Sequence, residues 1–198
     1  MALYALTVTI ANVSLPQMQG ALSATQDQIA LVVTFNIVAT AVATPLTGWL
    51  VARFGQRRVL LFCVTAFTIS TLFCGLAGSL EMLVTFRVFQ GLCGAPLAPL
   101  SQSIVLASYP LEKRGRATAI FGMGVVIGPL IAPTIGGYLS EEYSWRWVFF
   151  MIVPCGIASL LGCWAVVADS VRGVRVRFDW TGFIALSVAV ACFQLLLD

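Results

Sequence analysis

The sequence predicts an all-α membrane protein, a bundle of six spanning helices followed by a seventh span. Three observations predict it. Of the 198 residues, 60% are hydrophobic and 10% charged, with a mean hydropathy of +0.97, whereas soluble domains carry about one-quarter charged residues. Such a chain has too few polar groups to cover itself in water. The apolar residues also fall in seven runs, roughly 1–18, 29–51, 59–78, 82–107, 117–139, 147–168 and 180–197, and about 20 residues suffice to cross a hydrocarbon core. Finally, the loop charges alternate. Arg53, Arg57 and Arg58, then Lys113, Arg114 and Arg116, then Arg172, Arg175 and Arg177 lie between spans two and three, four and five, and six and seven. The opposite loops hold Asp27, Glu81, Glu141, Glu142 and only Arg146. By the positive-inside rule the basic loops and the N-terminus are expected in the cytoplasm. A net charge of +3 spread over three short loops argues against a nucleic-acid partner.

Span one has no basic segment before it and more spans directly after it, which is unlike a secretory signal. At 1.5 Å per residue, Met1 to Leu15 reaches only about 21 Å, short of the roughly 30 Å core. The start is therefore expected to be clipped and the chain, closing at Asp198 just after a span, to be a fragment of something longer. Asn12 in span one and Thr34 and Asn36 in span two are polar groups in apolar surroundings. In the loop after span two, Gly48 would allow a close crossing, Gly55 a turn, and the arginines hold that end on one side. Arg87 lies six positions past Glu81, about 9 Å into span four, with Gln90 close behind. A charge at such depth costs at least about 2.5–3.5 kcal/mol and is functional by default, though an arginine that binds carbonyls at a helix crossing is the alternative. Asn12, Thr34, Asn36 and Gln90 likewise read either as cavity-lining groups or as interhelical hydrogen bonds.

Span five contains GPLIAPTIGGY (128–138), helix breakers inside an uncharged run. Gly124, Gly128, Ala132 and Gly136 recur every fourth residue and form a smooth stripe on which another backbone can lie closely. Pro129 and Pro133 are tolerated where neighbouring helices satisfy the freed carbonyls. The segment thus suits a helix that bends and lies tightly on a partner, and generic small-residue packing would give the same stripe. Residues 1–168 read as one bundle, DSVRGVRVRFD (169–179) as a cytoplasmic linker, and 180–198 as the seventh span. PLTGWL (45–50) in span two and PTIGGYL (133–139) in span five share Pro-x-x-Gly at opposite ends of their spans, the relation that inverted three-helix repeats produce; two short matches also arise by chance.

The six cysteines lie within spans without metal-ligand spacing and read as small packing residues. With no histidine, no imidazole can switch charge near neutral pH. No metal, cofactor or catalytic constellation is expected, and the chain does not read as an enzyme.

Gly128-x-x-x-Ala132-Pro133-x-x-Gly136-Gly137 resembles the antiporter motif in span five of the major facilitator superfamily, with Ala132 where glycine is usual. The segment from Gly48 through Arg53, Gly55, Arg57 and Arg58 looks like that superfamily's loop between spans two and three. Arg87 with Gln90, Gly91, Gly94 and Pro96 is similar to its span-four arginine motif. ANVSLP (11–16), SWRWVFF (144–150) and FDWTGF (178–183) resemble the fourteen-span drug:proton antiporters of the EmrB/QacA type, in which FDW opens two extra helices between two six-helix bundles. The resemblance implies an N-terminal bundle plus one extra span in the inner (cytoplasmic) membrane, and proton-coupled multidrug efflux by alternating access. It assigns proton coupling to Arg87, a cavity to Asn12, Thr34, Asn36 and Gln90, and gating to the loop motif. The implied partners are the bilayer, protons and small hydrophobic or amphiphilic substrates, with a periplasmic adaptor protein left open.

Some of the family's usual residues are replaced. Ala52 stands where the loop motif carries aspartate, Gln56 where arginine is frequent, and Thr7 where relatives often place an aspartate. Leu31 and Ile152 replace a usual tryptophan and asparagine. Arginine stays protonated throughout the working range, so Arg87 cannot itself carry the proton. A uniporter or symporter, or a non-transporting remnant or membrane scaffold, therefore remain alternatives.

Overall fold

The computed structural model describes residues 1–167 and 179–197. Its spans run in the expected order. Span one is α1 (Ala2–Val13) and α2 (Leu15–Ala21), span two α3 (Gln26–Ala43) and α4 (Leu46–Phe54), and span three α5 (Gln56–Leu76). Span four is α6 (Leu80–Gly94) and α7 (Leu97–Ser108), followed by a short 3₁₀ turn, Leu111–Lys113. Spans five, six and seven are α8 (Arg114–Glu142), α9 (Trp145–Val166) and α10 (Trp180–Leu197). Five helices meet the length and hydropathy needed to cross a membrane, while Ala2–Val13 and Trp180–Gln194 are shorter apolar helices. The linker expected at 169–179 lies outside the described residues except for Asp179, whose Oδ1 accepts the Gly182 N–H at 2.9 Å and caps α10.

Local sequence explains the helix ends. Thr25 and Gln28 form a capping box at the start of α3, and the Ser79 hydroxyl accepts from the Met82 N–H to begin α6. Gly55, at φ +86°, makes the turn between spans two and three that a side chain would strain. The prolines divide into two groups. Pro45 and Pro96 sit at the breaks in spans two and four, and Pro16 opens α2 after Ser14. Pro129, Pro133 and Pro154 lie inside unbroken helices. The breakers that made span five look interrupted therefore stand in the longest helix of the chain, at 29 residues.

The most extensive pairings join span two to four (α3 with α6), three to six (α5 with α9) and one to five (α1 with α8), and α10 lies on α3. Exchanging spans one with four, two with five and three with six maps these pairings onto one another, as inverted repeats require. The two sequence matches that suggested the repeat do not take equivalent structures: Pro45 ends a helix and Pro133 does not.

Spans three and six form the tightest antiparallel pair. A Cβ built at Gly75 would lie 2.7 Å from the Phe150 ring, and one at Gly156 would strike the Thr68 side chain. Each end is also tied by an arginine. At the basic-loop end Arg57 Nη2 donates to the Trp164 carbonyl in the last turn of α9, at 2.9 Å. At the other end Arg146 Nη2 donates to the Ala77 carbonyl at the end of α5, also at 2.9 Å. Both cations thus satisfy helix C-terminal carbonyls that lack an intrahelical partner and favour the negative end of the helix dipole. Each is expected to contribute about 1 kcal/mol, and because the two lie at opposite ends their effects should add. Melting of purified Arg57→Ala, Arg146→Ala and the double variant tests this. A double variant no less stable than wild type would show that the arginines do not hold the pair.

Exposed Tyr138, Tyr143 and Trp147 gather at the acidic-loop end, with Trp164 and Trp180 at the basic-loop end. These are the two levels at which interfacial aromatic residues settle in a bilayer.

Candidate functional site

Arg87 is built into α6 about two turns past its capped start, and only 2% of it is exposed. Its Nη1 donates to Gln90 Oε1 at 2.9 Å. Arginine offers no acceptor, so this bond sets the orientation of the Gln90 amide. Gln90 Nε2 then donates to Thr71 Oγ1 on α5 at 2.7 Å, and the Thr71 hydroxyl in turn donates a hydrogen bond to the Phe67 carbonyl. The guanidinium carbon stands 5.0 Å from the centroid of the Phe149 ring of α9, and a desolvated cation–π contact can contribute about 2 kcal/mol.

The backbone beneath Arg87 is held from span two. Asn36 Nδ2 donates to the Arg87 carbonyl at 2.8 Å. Thr40 Oγ1 donates to the carbonyls of Asn36 and Gly91, at 2.8 and 3.2 Å, and accepts from the Tyr4 hydroxyl of span one. Gly91 is required at this crossing, since a Cβ there would collide with the Asn36 carbonyl oxygen. Spans one, two, three, four and six therefore meet in one polar network around a single charge.

Arg87 Nε and Nη2 are buried without a protein partner. Leaving a buried donor unsatisfied costs about 1–3 kcal/mol. The described carboxylates, Asp27, Glu81, Glu112, Glu141, Glu142 and Asp179, all lie at helix ends or beyond them. Thr7, which occupies the position where an acid was sought, donates to the Leu3 carbonyl at 2.7 Å within its own helix.

Thr34, Asn36 and Gln90 do not line an open cavity in this structure. All three are buried, and the last two make the interhelical bonds just described. Asn12 alone of the expected cavity residues is exposed. In the loop motif, nothing lies within 4 Å of a Cβ built at Gly48, so the close crossing expected there is not found. Arg53 stands 5.9 Å from each of the Trp49 and Phe54 rings, Arg57 ties span six, and Arg58 is exposed.

The small-residue stripe is shifted by one turn. Its buried members are Gly128, Ala132, Gly136 and Ser140, while Gly124 and Gly137 face open space. A Cβ at Gly128 would lie 3.0 Å from the Ala2 carbonyl oxygen, and one at Gly136 2.5 Å from Ile10 Cγ1. Ser140 Oγ meets Ser14 Oγ at 2.7 Å, at the break in span one. Pro133 is exposed and Pro129 half-buried, so neither belongs to the contact surface. Sequence reasoning missed Thr71, Phe149, Tyr4 and Thr40. Ser140 was within reach of the four-residue spacing, and Phe149 lies in the SWRWVFF segment.

Paired helices of inverted orientation around a buried intramembrane charge define the fold class of secondary transporters. The chain matches the Major Facilitator Superfamily over residues 1–195 and belongs to that family. It is 42% identical over 191 residues to the multidrug export protein EmrB of Haemophilus influenzae, covering 96% of this chain and 38% of that protein. It is 39% identical over 194 residues to the fatty acid resistance protein FarB of Neisseria gonorrhoeae, covering 98% and 38%. The chain thus spans about two-fifths of the length of these relatives. Among solved structures it superposes on the peptide transporter POT with a TM-score of 0.78 at 17% identity, covering 99% of this chain and 44% of that one. It superposes on a D-xylose–proton symporter with a TM-score of 0.74 at 17% identity, covering 100% and 51%. The two superpositions establish the shared fold of a multi-pass membrane protein.

Proposed function

We propose that this chain is the N-terminal bundle and first extra span of a proton-coupled exporter of hydrophobic or amphiphilic compounds. In this reading residues 1–168 form one wall of an alternating-access site, 169–179 a cytoplasmic linker and 180–198 the seventh span. The observation that carries it is Arg87, a buried cation held on five spans with two donors left unpartnered. A charge so placed biases any titrating group that approaches it. The similarity to multidrug exporters along nearly the whole chain supports the export direction and the hydrophobic substrate class. The protein acts as a carrier in the inner membrane and not as an enzyme.

Expression of the whole reading frame should lower the accumulation of a lipophilic dye in cells, and collapse of the proton gradient should abolish the effect. Unchanged accumulation with the protein correctly inserted would sink the proposal. Dependence of efflux on a co-expressed periplasmic adaptor would add that partner.

The N-terminus is placed in the cytoplasm, on the strength of the basic residues gathered at one end. In a cysteine-free background, Glu142→Cys should react with an impermeant thiol reagent added outside intact cells, and Gln56→Cys should not. Outside labelling of the Gln56 variant would invert the topology.

A further inference from the structure

The three arginines of the loop motif have separate surroundings. Arg53 lies against two aromatic rings, and Arg57 reaches across to span six. Arg58 instead stands at the rim of an apolar groove of about 550 Å³ that enters the bundle's side. Leu50 and Phe54 of α4 form one wall, Phe62 and Cys63 of α5 the other, and Leu92 and Pro96 mark where span four breaks. Among the described residues Arg58 is the sole charged residue of the lining, and no hydrogen bond or ion pair among them engages it. Phe62, 71% exposed, opens the groove on the surface of the described helices. From Arg58 to Cys63 the groove descends about 7.5 Å along α5.

The groove asks for a ligand with a negative head and a hydrocarbon tail, held at the membrane level of the basic loops. We propose that it is a binding site for an anionic phospholipid of the leaflet on that side, with the lipid phosphate on Arg58 and one acyl chain lying along Phe62, Cys63 and Leu92. Basic pockets between spanning helices bind anionic head groups in this way, and the depth of the apolar walls suits the first half-dozen methylenes of the chain. Among the described residues no carboxylate lines the groove to compete for the arginine. The charge of the ligand distinguishes this site from generic lipid contact: a neutral lipid would fill the groove but leave Arg58 unpaired.

The test is native mass spectrometry of protein purified from its whole reading frame, delipidated and offered equal phosphatidylglycerol and phosphatidylcholine. One basic contact at a membrane surface is worth about fivefold in affinity. Wild type and Arg58→Lys should retain phosphatidylglycerol preferentially, and Arg58→Gln should lose about fivefold of that preference. Lys113→Gln, which removes an exposed charge from the next basic loop, should leave it unchanged. Leu92→Trp, which fills the groove and whose folding is checked by melting, should lose the bound lipid while Arg58 remains. Equal loss in the Lys113 and Arg58 variants would reduce the effect to diffuse surface attraction and overturn the site. So would undiminished retention in Arg58→Gln or in a folded Leu92→Trp.

Discussion

Gly136→Leu should abolish export while the protein still inserts, and Gly136→Ala should already be damaging. The contact is closer than a stripe of small residues alone implies. A Cβ at Gly136 would stand 2.5 Å from Ile10 Cγ1, and Ile10 is wholly buried and β-branched, with little freedom at χ1. One methyl must therefore displace span one or force Ile10 off its rotamer, an overpacking cost of about 1–3 kcal/mol. A leucine cannot be absorbed by any side-chain rearrangement, because about two turns away Gly128 packs on the backbone at Ala2 and Leu6. Separation of spans one and five should follow, and with it loss of at least tenfold in efflux. Ile10→Ala removes the colliding atom, so it should restore function to Gly136→Ala but not to Gly136→Leu. Gly122→Ala, on the same helix but facing open space, should leave both efflux and melting temperature unchanged. Normal efflux by Gly136→Leu would leave the stripe as incidental packing.

The spans were legible because a membrane-crossing run is a matter of composition and length, and their order and boundaries follow the sequence within a few residues. The breaks were not. Pro45 and Pro96 end helices whereas Pro129, Pro133 and Pro154 do not, and the residue type is the same in each. Arg87 was legible as a charge among apolar residues. The direction in which Asn36, Thr34 and Gln90 face was not, because in a membrane both faces of a helix are apolar and lipid is no more hydrophobic than a core. A polar side chain in such a helix is visible in sequence, but its facing is settled only by which helices pair. For the same reason Thr71 and Phe149 could not be found: each becomes part of the site only once span four is known to lie against spans three and six. The Gly91 crossing was quoted as part of a motif, and its function as the contact point with Asn36 needed the pairing of spans two and four.

Arg87→Gln should abolish proton-driven export while leaving the protein folded and able to bind substrate. The expectation follows from the balance at the site. Holding the guanidinium in the bundle costs a few kcal/mol, offset by the Gln90 bond and the Phe149 ring, and two of its donors gain nothing. Removing the charge should therefore raise the melting temperature or leave it unchanged, the pattern of a residue kept for function at the expense of stability. Arg87→Lys retains the charge but loses the planar fork of donors that reaches Gln90, so it should keep partial transport with a shifted pH dependence. Phe149→Leu removes the ring and keeps the charge. It should destabilise the protein by about 2 kcal/mol and retain coupling in the fraction that folds. If Arg87 served only to tie spans together, the glutamine and lysine variants would both lose folded protein, and the Phe149 variant would resemble them. Substrate-induced proton release from purified protein in detergent separates the two roles. Release at the wild-type level from well-folded Arg87→Gln would remove Arg87 from the coupling mechanism and favour a carrier that moves its substrate without proton exchange.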